Sequence, residues 1–136
     1  HIEMMELSVN HLATTDFVSF DKTTTIKDAI SKMAKSQVSE AYILSEKSKF
    51  LGKVSLHGLL TINHDLPVIK SLIKNPTHIK HDASLQQAIE IASEFVGETI
   101  PIIEPTSKKM LGVVSEADLF QAYLATQNKI LDLEKK

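Results

Sequence analysis

The sequence predicts an α/β fold in which two β-α-β-β-α units, related by a pseudo-twofold axis, pack through their sheets. Two recurrences predict it. Leu51-Gly52-Lys53-Val54-Ser55 with Leu59 returns sixty residues later as Leu111-Gly112-Val113-Val114-Ser115 with Leu119. Thr25-Ile26-Lys27-Asp28-Ala29-Ile30 returns fifty-nine residues later as Ser84-Leu85-Gln86-Gln87-Ala88-Ile89. Two separate motifs repeating at nearly one offset define two copies of one supersecondary unit, which buries its apolar face against its copy.

Each element has its own local reason. In the first copy, Phe17 to Phe20 is a short apolar run suited to a strand. Thr25 to Ser36 sets Ile26, Ala29, Ile30 and Met33 at helical spacing, and Thr25-x-x-Asp28 supplies an N-cap and a first-turn acid. Ala41 to Leu44 reads as the second strand, Ser45 to Lys49 as a polar turn and Phe50 to Ser55 as the third strand. A short helix from Leu56 to about Ile62 closes the unit. Asn63 to Pro67 is the connector, with Pro67 opening a short helix through Leu72. The second copy repeats the order: strand Thr77 to Lys80, helix Ser84 to about Phe95, strands Ile100 to Glu104 and Met110 to Ser115, and a helix from Glu116. That last helix carries Phe120, Tyr123, Leu124, Ile130, Leu131 and Leu133 on toward the C-terminus, longer than the unit needs. The expected boundaries are therefore 7–63 for the first unit, 64–124 for the second and 125–136 for a helical extension. Residues 1–6 are expected to be an expression remnant or the start of an excerpt from a longer chain.

Composition narrows the functional classes. A chain of 136 residues, 43% hydrophobic and 24% charged, is long enough to bury a core. A net charge of −2 with interspersed signs predicts no basic surface for nucleic acid and no patch for anionic lipid. Without cysteine there is no disulfide framework and no thiol chemistry, which fits a reducing compartment. No apolar run approaches a membrane span and no signal peptide is visible, so a cytoplasmic location is expected, including as the cytoplasmic part of a membrane protein. No nucleophile elbow, phosphate-binding loop or metalloprotease motif occurs. Six histidines invite a metal reading, but His78 and His81 sit three apart at a strand end and no clustered carboxylate or cysteine completes a zinc set. Thr23-Thr24-Thr25 reads as a polar turn and helix cap.

From about Leu7 to Leu124 the chain resembles a tandem pair of CBS domains, the Bateman module. Each half has a strand, a helix opening on [Ser/Thr]-[Ile/Leu]-x-x-Ala-Ile, paired strands and then the place of a Gly-hydrophobic-hydrophobic-[Ser/Thr]-x-x-Asp pattern leading into a helix, which the second half completes and from which the first departs at Lys53 and Gly58. Pro101 enters the second strand of the second half, where Tyr42 stands in the first. The resemblance implies a module without catalysis. It implies an adenosine-containing ligand (AMP, ADP, ATP or S-adenosylmethionine) in the cleft between halves, pairing of two copies into a homodimer, and regulation of an attached channel, transporter or enzyme. A chloride-channel-type transporter is one such parent. Magnesium transporters and nucleotide dehydrogenases are others, and small stand-alone CBS proteins carry comparable pairs. A purely structural homodimerisation domain with a vestigial cleft is the alternative.

By that resemblance Asp118 would hold the ribose and Ser115 would support it, with Thr14, Val18, Val38 and Ser39 lining the adenine side. The chemistry suits the place. Free N–H groups and the helix dipole favour polar and anionic groups, and a first-turn carboxylate can accept from both ribose hydroxyls. Ser115-x-x-Asp118 is equally a capping motif, and the two roles are compatible. In the first half Gly58 stands where the carboxylate belongs, so one nucleoside site per chain is expected. Ala117, Glu98, Thr99 and Glu116 occupy places where a phosphate would call for a base; a cationic ligand such as S-adenosylmethionine tolerates those acids better.

Overall fold

The computed structural model describes residues 8–134, so the expectation for residues 1–6 lies outside the described residues, as does the side chain of Ile130. The strands are β1 (Ser19–Phe20), β2 (Glu40–Leu44), β3 (Phe50–Ser55), β4 (Ile79–Lys80), β5 (Ile100–Ile103) and β6 (Met110–Val114). The helices are α1 (Ile26–Ser36), α2 (Leu56–Leu60), α3 (Leu85–Ala92) and α4 (Glu116–Glu134). Two three-stranded sheets result, ordered β1-β2-β3 and β4-β5-β6. β1 runs parallel to β2 and β4 parallel to β5, while β2 and β3 are antiparallel, with Ala41 opposite Val54 and a bulge at Ile43/Leu44.

Caps set the helix starts. Thr25 accepts from the Asp28 N–H at 3.2 Å to open α1. Ser84 and Gln87 form a reciprocal capping box for α3, at 3.1 and 3.0 Å. α1 ends on Gln37 in the left-handed conformation, φ 56°. The Thr23–Thr25 segment is a turn: Asp21 accepts from the Thr23 hydroxyl and N–H, which holds its carboxyl below the ordinary carboxylate value, the hydroxyl bond contributing most.

Apart from Ala83, which the second core has in addition, the two cores correspond position for position. One gathers Phe20, Ile26, Ala29, Met33, Ala41, Ile43, Val54, Leu59 and Val68. The other gathers Ile79, Ala83, Leu85, Ala88, Ala92, Ile100, Ile102, Val114 and Leu119, with Val9. Each member of the first has its partner fifty-nine or sixty residues away, the step from one offset to the other falling in the turn before β3 and β6.

The chain does not divide between these cores at the repeat boundary. One compact unit comprises residues 16–76 with 106–110; the other comprises 8–15, 77–105 and 111–134. Val9, in a 3₁₀ turn (Val9–Leu12), is fully buried in the core of the second repeat, and Val68, in the matching turn (Val68–Ser71), in that of the first. Isolated bridges fix the exchange. Ser8 pairs with Ser84 and Thr14 with Val113; fifty-nine or sixty residues away, Pro67 pairs with Thr25 and Ile73 with Lys53. The recurring glycine of the Leu-Gly-x-Val-Ser motif makes room for this crossing backbone. A Cβ on Gly112 would lie 2.6 Å from the Thr14 carbonyl oxygen, and one on Gly52 would lie 2.6 Å from Leu72 Cδ1 and press on the Ile73 carbonyl.

Candidate functional site

β6 is buried along most of its length and delivers the chain into α4 at Ser115. Ser115 caps that helix: its Oγ accepts from the Asp118 N–H at 3.1 Å. The return contact, from the Ser115 N–H to Asp118 Oδ2, is 3.4 Å, at the outer edge of a hydrogen bond. In the box that opens α3 the corresponding bond is 3.0 Å. Asp118 is exposed, and its Oδ1 has no bonding partner among the described residues. The cap is thus made chiefly by the serine, and the carboxylate keeps most of its accepting capacity for another group. Glu116 shares the first turn, so two carboxylates stand at this helix start.

Thr14 is brought to the same place by backbone pairing. Its N–H donates to the Val113 carbonyl and its carbonyl accepts from the Val113 N–H, both at 2.9 Å, two residues before Ser115. The sequence motif carries no signal of that approach. The recurrence of Leu-x-Val at 7–9 and 66–68 and the fifty-nine-residue spacing of Thr14 and Ile73 are the marks that could have revealed it. Val18, Val38 and Ser39 belong to the other unit. Val18 and Val38 are half-buried and Ser39 is exposed. The Val18 carbonyl accepts from Tyr42 N–H at 3.0 Å and the Ser39 carbonyl from Leu56 N–H at 2.8 Å, so these residues stand at the entries of the strands and of α2. Tyr42, in the place of Pro101, is buried and takes Phe17 edge-on, ring centroids 5.7 Å apart.

In that unit the turn corresponding to Ser115–Asp118 keeps its cap, the Ser55 Oγ accepting from Gly58 N–H at 3.0 Å, but has no carboxylate. Its charged feature lies elsewhere: Lys53 Nζ and Glu40 form an ion pair at 2.5 Å between β3 and β2, with side chains only 14% and 12% exposed. The sequence alone does not pair them, because they lie thirteen residues apart on antiparallel strands. Among the described residues no group of three His, Cys, Asp or Glu could hold a metal ion, and no helix is long and apolar enough to cross a membrane.

The CBS domain family model matches residues 9–65 and again 69–125. The chain belongs to the CBS domain family, as a tandem pair. Similar structures include the cystathionine beta-synthase pair domain of a putative Mg2+ transporter from Shewanella oneidensis (15% identity, TM-score 0.79, 88% of this chain and 71% of that one). Another is CBSX2 in complex with AMP (16% identity, TM-score 0.75, 88% and 98%). At these identities the likeness is one of fold. A curated relative, the A-adding tRNA nucleotidyltransferase of Aquifex aeolicus (strain VF5), is 24% identical over 121 residues. That match takes in 87% of this chain but only 14% of the relative's length.

Proposed function

We propose that this CBS pair is a non-catalytic regulatory module that binds an adenosine-containing ligand and modulates an attached channel, transporter or enzyme. The observation that carries the reading is Asp118: a first-turn carboxylate, exposed, with one oxygen unbonded and the other only weakly engaged. In this reading Asp118 accepts from the ribose hydroxyls, Ser115 supports it, Thr14 borders it and Val18, Val38 and Ser39 face the adenine. The AMP complex of a protein with the same fold supports the ligand class, and the transporter origin of another supports the kind of parent. With Glu116 and Asp118 in one turn, a ligand without phosphate, or with the positive charge of S-adenosylmethionine, is favoured over ATP. Ligand can shift the effector only by binding one arrangement of the module better than another.

Thermal-shift titration with AMP, ADP, ATP, adenosine and S-adenosylmethionine tests this. Stabilisation that grows with concentration, about 2.7 kcal/mol at a hundred times Kd, and that Asp118→Ala abolishes is the expected result. No shift with any of the five, alongside ligand-independent dimerisation, would replace the reading with a structural homodimerisation domain.

A further inference from the structure

Folding creates a cationic tip that the sequence disperses. The turn before β3 carries Lys47 and Lys49 beside the exposed Glu46, and the turn before β6, sixty residues later, carries Lys108 and Lys109, so the lysines outnumber the acid four to one. Lys49 and Lys109 form an antiparallel bridge, and the Phe50 N–H donates to the Lys108 carbonyl at 2.9 Å, so the turns lie backbone to backbone. Each is tightened by left-handed residues, Lys47 (φ 61°), Ser48 (φ 62°) and Lys108 (φ 65°). All four lysines are exposed, and none pairs with a carboxylate among the described residues. Residues directly opposite on an antiparallel bridge point to one side, and like charges placed so repel. The fold therefore sustains an unfavourable Lys49–Lys109 pair, and Glu46, the carboxylate of the same turn, forms no ion pair with either lysine among the described residues.

We infer that this tip docks on an anionic lipid surface. Its chemistry fits a diffuse negative plane better than a shaped anion. All fifteen basic residues of the chain are lysine, so the tip has no guanidinium fork for bidentate phosphate or base recognition. Neither turn carries an aromatic side chain on which a nucleic-acid base could stack. Flexible ammonium groups near an anionic bilayer each strengthen binding about fivefold. The inference stands on the geometry of the turns and does not depend on the adenosine reading.

Flotation of the chain with phosphatidylcholine vesicles, with and without 30% phosphatidylserine, tests it, with Lys49→Gln/Lys109→Gln and Asp118→Ala alongside. Expected are binding to the anionic vesicles only, a loss of about 25-fold in the lysine double variant, and unchanged vesicle binding in Asp118→Ala. The double variant should melt no lower than the wild type, since the substitution relieves the repulsion across the bridge, so its loss of binding cannot be assigned to unfolding. Equal partitioning onto neutral vesicles, or undiminished binding by the double variant, would overturn the inference. Tighter capture by a short DNA duplex than by the anionic vesicles would overturn it in favour of nucleic acid.

Discussion

Glycine at positions 52 and 112 is a steric requirement set by the neighbouring backbone. Both sit where an extended segment crosses the strand, and any side chain would press on a carbonyl oxygen that is already bonded. Gly112→Ala should cost about 1–3 kcal/mol by overpacking. Gly52→Ala should cost more, because its φ of 155° adds backbone strain to the clash. Urea unfolding of the two variants checks both the sign and the order. The glycine was visible in the sequence as part of a repeated motif, but its reason was not, since the atom it avoids belongs to Thr14 or Ile73. Asp118 shows the same division. Spacing identified it as a cap residue and resemblance as a ribose acceptor; only the 3.4 Å return contact shows that capping leaves the carboxylate largely unused.

At the scale of elements, the two sheets solve one problem differently. Between β2 and β3 the first unit places Glu40 and Lys53, whereas the corresponding positions of the second unit hold Thr99 and Val113. Lys53→Val alone removes the cation from a mostly buried carboxylate and should cost on the order of 3 kcal/mol. The double variant Glu40→Thr/Lys53→Val installs the residues that stand at the equivalent positions of the second unit and should recover most of that loss, again by urea unfolding. Helices were legible because their caps are local: Thr25, Ser55, Ser84 and Ser115 each bond within three residues. The ends of elements were less so. α3 stops at Ala92, short of the expected Phe95, and β1 and β4 are two-residue strands where four were expected. Strand length depends on how far a partner runs alongside, which local pattern does not record.

Over the whole molecule, each repeat is completed by residues that precede the other one. Val9 is fully buried in the core of the second repeat and Val68 in that of the first. Val9→Ala should therefore cost about 2 kcal/mol and weaken amide protection in β4, β5 and β6, although it lies seventy residues or more before them in the chain. Native-state hydrogen exchange distinguishes this from the alternative, in which protection falls in β1 to β3. A chain wired in this way does not split cleanly at residue 63, and truncation there would leave both cores incomplete.

By itself the sequence determined the repeat, the order of the main elements, the Thr25 and Ser115 caps and the buried face of the first long helix, because each depends on periodicity or on bonds made within a few residues. It also marked Asp118 against Gly58, the asymmetry on which the single-site expectation rests. Tertiary structure alone decided which core receives Val9, why Gly52 and Gly112 must lack a side chain, that Lys53 meets Glu40, and that Lys49 faces Lys109 across a bridge. All of these are contacts between segments distant in the chain, where the partner's identity is fixed by the fold and leaves no mark in the local pattern.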